Sequence, residues 1–451
     1  MQERTGMMGV SHTKRHIVTT ACCLLAISIL FLGCASTIDL RASDHYYNAS
    51  NFKGAYQSLE QKGPSLLKAQ GPIILNYDLG MLARLNGDYV RSNALLSESE
   101  RLIGEAYTQS ISATIASFIV NDNTKPYGGS EYEDIYVNVF KALNYLALAQ
   151  EESALVELRR SLEKQTQLKA RHEQDLKRIA TYARENNLSW DGSQTYATSF
   201  STSALANHLA AIVAGHLGDE SMAFYSQSQV AHAFASQPAL YPFAQPAATM
   251  LGQAEGGRAR LHLLCFTGRS PTKEERWEYI YLNRSDRVRI AYPVLVGQDS
   301  AVDSIQVRIR ENGATATIER LESLSTVAID TFAAQGALAL QKSIMRSMAR
   351  AMGIAVSDSL SSSKNDNLSL LGDLMGLFFK VSGEVAERAD VRSTHYLPSE
   401  AWVGAIDLDP GTYTVEISFL NRWGQSLGTV TQANRVVAAG SLSLVEALLP
   451  R

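Results

Sequence analysis

Hydrophobic spacing along residues 40–235 is helical, and beyond residue 256 it becomes alternating. The clearest helical stretch runs from Leu75 to Ile103, with Leu79-Gly80, Gly87-Asp88-Tyr89 and Leu95-Leu96. A second passes through Ala142, Tyr145, Ala154 and Leu158, and a third through Ala211, Ala214, Gly218, Ala223 and Tyr225. Leu217-Gly218-Asp219 echoes Asn86-Gly87-Asp88, so both predict the same turn between helices. Asn121 to Ser130, with Pro126, Gly128 and Gly129, predicts a loop. Pro238, Pro242 and Pro246 exclude one continuous helix after Gln237. Strands are expected at Arg258–Phe266, Arg289–Val296, Ser304–Arg310, Ala314–Ile318, Trp402–Leu408, Thr412–Phe419 and Ser426–Val430, with a further one within Val436–Leu448. Asp409-Pro410-Gly411 is a turn signal between two of them. Ile329 to Val356 predicts a helix with Arg346 and Arg350 four apart. A polar break, Ser357 to Asn367, then leads into the strongly apolar Leu368–Val385.

Gly80 and Gly87 are seven apart, which is similar to the spacing in tetratricopeptide repeats. There the first small residue lets two helices touch and the second ends helix A. Gly80, Ala142 and Ala211, placed at one repeat position, lie 62 and 69 residues apart, close to two periods of about 34. Degenerate units are therefore expected between them. Gly80, Gly87, Ala142, Ala154, Gly218 and Ala223 would define the repeat, and any helical-hairpin array with small residues at its crossings gives the same solenoid. The expected fold is α+β. An α-solenoid of tetratricopeptide-like hairpins spans 34–250, and a mainly antiparallel, sandwich-like β domain spans 251–451 with a helical insertion at about 329–388. Residues 368–385 are too short and interrupted to span a bilayer, and cover of the sheet is favoured over contact with membrane or partner.

At the N-terminus, Arg4, Lys14 and Arg15 precede an apolar run from Ile17 to Leu32, then Gly33 and Cys34. A basic head, an apolar middle and a small residue describe a secretory signal peptide over residues 1–33. Read instead as an uncleaved anchor, the run of about 16 residues is short of the roughly 20 a membrane span needs. Leu30-Phe31-Leu32-Gly33-Cys34 resembles the lipobox of bacterial lipoproteins, with Phe31 where the usual box has Leu. The resemblance implies cleavage before Cys34, acylation of that cysteine, and a partner in the lipid bilayer. With Ala35 and Ser36 following, it implies the outer membrane of the cell envelope in preference to the inner.

Composition narrows the chemistry. Removing residues 1–33 from the 451-residue chain takes Arg4, Lys14 and Arg15 of its 41 basic residues and Glu3 of its 45 acidic ones, so the net charge of −4 becomes −6. No basic stripe points to nucleic acid. Of four cysteines, Cys22 and Cys23 fall in the leader and Cys34 is the lipid site, so Cys265 has no disulfide partner and reads as an apolar core residue. There is no nucleophile elbow, phosphate loop or histidine pair at metal spacing, so no catalytic residue, metal or cofactor is expected. His208 and His216, eight apart, could share a helix face without meeting at one metal. Glu157, Arg159, Arg160 and Glu163 predict a solvated helix face. Gly268, Pro271 and Lys273 lie on a loop after a buried strand. It reads as an ordered connection, or as an interaction loop.

Several landmarks together resemble a family of uncharacterised bacterial tetratricopeptide-type envelope lipoproteins. They are Tyr132-Glu133, Ala142-Leu143-Asn144-Tyr145-Leu146, Val156-Glu157-Leu158-Arg159-Arg160, Gly268 with Pro271 and Lys273, Arg346 with Arg350, and Ala389-Asp390 through Arg392-Ser393 to Leu397-Pro398. Thr394 stands where that family often has Trp. The resemblance brings no activity and implies an envelope role by association with cell-wall synthesis. The expected function is a membrane-anchored, non-enzymatic scaffold that grips a peptide or protein partner. The alternative is a hydrolytic or carbohydrate-binding protein with its site at 268–273.

Overall fold

A computed structural model describes residues 38–112, 126–188, 198–250, 252, 254, 256–281, 287–298, 300–351 and 389–450. The expected leader with Cys34, the first half of the loop at 121–130 and the apolar stretch 368–385 lie outside the described residues.

Among the described residues, nine helices come first: α1 Arg41–Asn48, α2 Phe52–Gln61, α3 Gly63–Gln70, α4 Pro72–Leu85, α5 Tyr89–Ser112, α6 Glu131–Ala147, α7 Glu151–Glu185, α8 Ala204–His216 and α9 Glu220–Ser236. Four helix pairs, α1/α2, α4/α5, α6/α7 and α8/α9, close through the same three-residue turn. Its middle residue is left-handed in each case: Ser50 (φ 56°), Gly87 (82°), Ala149 (55°) and Gly218 (78°). The next N–H reaches five residues back in all four, Asn51 to Tyr46, Asp88 to Ala83, Gln150 to Tyr145 and Asp219 to Ala214, each at 2.9 Å. This pattern satisfies helix carbonyls that would otherwise be orphaned. In three turns the same third residue opens the following helix. Asn51, Asp88 and Asp219 accept from the N–H groups of Gly54, Arg91 and Met222 at 3.0 Å.

The 62-residue offset is also visible in the packing. Ser99 Oγ donates to the Ile73 carbonyl and Ser161 Oγ to that of Ile135, both at 3.0 Å and both buried. Gly80 sits where α4 crosses α5, because a Cβ built there lies 2.9 Å from the Leu96 side chain. Ala142 and Ala154 are fully buried in α6 and α7, and Ala223 is half-buried on α9. Offsets of 62 and 69 therefore separate consecutive pairs. No intermediate unit stands among the described residues, and the 24-residue α5 and 35-residue α7 take up the extra length.

The strands are β1 Ala259–Thr267, β2 Thr272–Tyr281, β3 Arg287–Val296, β4 Ser304–Ile309, β5 Thr315–Ser323, β6 Glu400–Leu408, β7 Gly411–Leu420, β8 Ser426–Val437 and β9 Ser443–Leu449, with α10 Leu324–Ala351 between β5 and β6. Seven of them form one sheet, β8-β7-β4-β5-β6-β1-β9, antiparallel except for β1 with β9. β2 and β3 pair separately. The sandwich-like expectation is thus corrected to a single curled sheet and a two-stranded ribbon. The reason lies in β1 and β6, neighbours toward the β9 edge, which carry apolar side chains on both faces. Leu261, Leu263 and Cys265 of β1 enter a core enclosed by the sheet itself, shared with Ile305, Val307, Val415 and Phe419. Leu264 and Phe266 face the helices and share a core with Phe140, Leu205 and Tyr77. Helices take the place of a second sheet.

β2 is missing from the sequence reading because Lys273, Glu274, Glu275 and Arg276 mask its alternation. The candidate strand within Val436–Leu448 is divided, with β8 ending at Val437 and β9 starting at Ser443.

Gly80→Leu forces overpacking at the α4/α5 crossing and should cost about 1–3 kcal/mol in urea unfolding of the chain. An unchanged unfolding midpoint would mean that the two helices do not meet there.

Candidate functional site

Two places join the helical hairpins to the sheet. The first is the segment 389–399, a strap that leads into β6. Thr394 donates its N–H and hydroxyl to Glu133 Oε1 at 2.9 and 3.0 Å. His395 donates its N–H to Asp78 Oδ1 at 2.8 Å, and its Nδ1 lies 2.6 Å from Oδ2. Tyr396 OH donates to Ser43 Oγ at 2.8 Å. Both carboxylates are fully buried. Glu133 has this position because it closes the capping box of α6. The Ser130 N–H donates to Oε2 at 2.8 Å and Tyr127 OH adds a bond at 2.6 Å.

The loop carrying Gly268 and Pro271, with Lys273 just inside β2, packs into this joint. The Gly268 N–H donates to the Leu449 carbonyl at 3.0 Å and that of Ser270 to Leu397 at 2.6 Å. Gly268 has φ +68°, and a Cβ there would lie 2.7 Å from Ser399 Cβ, so only glycine fits. Pro271 is buried. The Lys273 amine lies 5.0 Å from the Tyr127 ring centroid and 4.8 Å from that of Phe332. Burial pulls its pKa down, against the attraction of Glu133 and Asp390. Arg269 bonds Asp44 at 2.8 Å and the His395 carbonyl at 3.2 Å. Three landmarks far apart in sequence, Tyr132-Glu133, 268–273 and 389–398, therefore meet at one joint facing inward. The reading of 268–273 as an ordered surface connection or an interaction loop is corrected accordingly, since Thr267, Gly268, Ser270 and Pro271 are buried. Asp44 and Asp78 complete the joint. Sequence reasoning missed them, since nothing local separates them from solvated helix acids.

The second place is a cleft between hairpin turns and the β8/β9 edge. Arg84, buried at the end of α4, pairs with Glu446 of β9 and donates to Asn144 Oδ1 at 2.7 Å. Around this pair lies a cleft of about 510 Å³, walled by Ser50, Phe52, Leu85 and Tyr89 on one side and by Leu427–Val430 and Leu448 on the other. A second cleft of about 340 Å³ continues it past Leu146, Glu151, Arg435, Val436 and Leu444. Its lining mixes polar and apolar side chains beside the edges of the sheet.

Other polar groups serve the frame. Glu157 is buried, pairing with Lys141 at 3.0 Å and Arg160 at 3.1 Å, so it leaves the solvated face expected for it. Arg159 crosses to Asp219 at 3.0 Å. Against burial, Lys164 and Lys141 hold the Glu100 carboxyl down at about 2. His208 on α8 faces His262 on β1, not His216, and no group of metal-binding side chains is found among the described residues. Burial lowers His208 to about 3 and His262 to about 4. Cys265 is a buried thiol whose pKa burial pushes up. No described helix is long and apolar enough to cross a membrane. Compared with known proteins, the chain matches no family model, no curated protein and no solved structure.

Both imidazoles stay neutral in the fold while the unfolded chain protonates near pH 6.5, so the unfolded state binds more protons below that pH. Stability should therefore fall as pH drops from 6.5 toward 4, by up to about 1.4 kcal/mol per pH unit for each histidine. His208→Leu should remove about half of that slope in urea titrations across this range. An unaltered slope would place the acid sensitivity elsewhere.

Proposed function

We propose that this chain is a lipid-anchored protein of the bacterial envelope, acylated at Cys34 and resident at the outer rather than the inner membrane. It acts as a non-enzymatic scaffold. A peptide or protein partner sits in the cleft beside Arg84 and Glu446, and the helical pairs are degenerate tetratricopeptide-like units in a short solenoid. The observation that carries the reading is the four equivalent turns, two of which, at Ser50 and Gly87, contribute to or border the cleft wall. A repeated hairpin presents the same kind of surface at regular offsets, which is how solenoids build extended binding walls. The anchor rests on the basic head, apolar run and lipobox-like end of the leader. More than one acyl chain is needed for stable residence on a membrane.

Expression with labelled palmitate should label the wild-type chain, and Cys34→Ser should lose both label and membrane retention. Undiminished labelling of that variant would overturn the anchor. A photo-crosslinking residue at Val90, 67% exposed beside Tyr89, should capture one partner from native membranes. The same group at Phe224, 75% exposed on α9, should not. Equal capture at both positions would remove the cleft from the proposal.

A further inference from the structure

The two edges of the seven-stranded sheet, β8 and β9, face each other without a backbone ladder. Side chains bridge the gap instead. Gln432 donates to the Glu446 carbonyl, Arg435 to that of Leu444 at 2.9 Å, and Ser443 Oγ to that of Val436 at 3.4 Å. In a strand the N–H and C=O of one residue point the same way, and alternate residues point to opposite edges. The carbonyls of Leu444 and Glu446 face β8, so their N–H groups face it too. Among the described residues β9 has only β1 as a ladder partner, and no described hydrogen bond reaches those two N–H groups from the β8 side. The seam therefore offers alternating donors and acceptors at a two-residue repeat, about 6.6–6.8 Å. That row is complementary to another extended main chain.

Both clefts lie on this seam, and Tyr89, Gln432 and Glu446 line both. The Gln432–Glu446 bond lies where the two clefts adjoin, so together they follow the seam as one channel. Val90 and Val436, each 67% exposed, stand beside the channel, and Leu427, Leu444 and Leu448 line it.

We infer that the channel takes an extended peptide segment of a partner protein, added as a strand to β9, with Gln432 and Arg435 as stand-ins that it displaces. This deepens the scaffold reading and rests on it. An inserted strand needs a wider gap than one glutamine spans. No backbone ladder holds the seam shut, whereas every other pair in the sheet has one, and beyond the side-chain bonds only apolar packing such as Leu449 against Gly428 joins its edges. Burial of the peptide's alternate side chains against Phe52, Leu85 and Tyr89 would set its register.

The test uses residues 34–451 with Cys34→Ser and a displayed library of random nine-residue peptides. Enriched peptides should bind Gln432→Ala about fivefold tighter, since a competing hydrogen bond is gone. N-methylation at alternate residues should weaken them at least about tenfold in one register and leave the other unchanged. Amide exchange at Leu444 and Glu446 should slow on binding. An equal urea midpoint for Gln432→Ala shows that the variant is folded. Absence of enrichment, or peptides indifferent to both N-methylation and Gln432→Ala, overturns strand addition. If Val90 still captures its partner in that case, the scaffold reading stands without this mode of binding. If neither works, both readings fall.

Discussion

A carboxylate taken out of water must find partners, and three of them tie the two halves of this protein together. Glu133 and Asp78 belong to the helices but take their bonds from Thr394 and His395 of the strap. Glu322 belongs to β5 but accepts from Tyr136 and Tyr241 hydroxyls at 2.7 Å, from Ser203, and from the Leu205 N–H at 3.1 Å. Burial raises the Glu322 pKa despite those donors. None of the three has its full set of partners within its own half. Breaking the joint would strip these carboxylates of donors, and a buried acceptor left unsatisfied costs about 1–3 kcal/mol, more where it is charged. The shared core of Phe140, Leu205, Phe266 and Ala401 has the same consequence.

This joint positions the cleft. The Arg84–Glu446 pair lies on the seam between α4 and β9, and Asn144 holds the guanidinium from α6. Asn144 in turn donates to Ser92 Oγ and Asn93 Oδ1 at 2.8 and 2.9 Å. Two hairpins thus fix one side chain against the sheet edge. The cleft walls belong to different halves, so its shape depends on the joint remaining closed.

Much of the helical half is legible in the sequence because its turns use residues with a local signature. Gly87-Asp88 and Gly218-Asp219 state both the left-handed turn and the cap that follows. Ser50-Asn51 hides half of that signal, and Ala149-Gln150 hides all of it, since neither Ser nor Ala normally marks positive φ. Strands are legible where alternation is clean, while β2 is hidden under its charges. The joint is not legible. Glu133 meets Thr394 across 261 residues and Asp78 meets His395 across 317, and no local pattern distinguishes a carboxylate awaiting such a partner from one in solvent. Gly268 stands out in the sequence, but as part of a surface loop. Its positive φ and its contact with Ser399 come from the strap that lies against it.

The most direct test of this account is cooperativity between the halves. Trp402, buried in β6, reports on the sheet when it is the sole tryptophan, and helical circular dichroism reports on the hairpins. Followed through a urea titration, the two signals should give one coincident transition. A helical signal that persists after Trp402 is exposed, or is lost well before it, would contradict the claim that buried carboxylates make the two halves one folding unit.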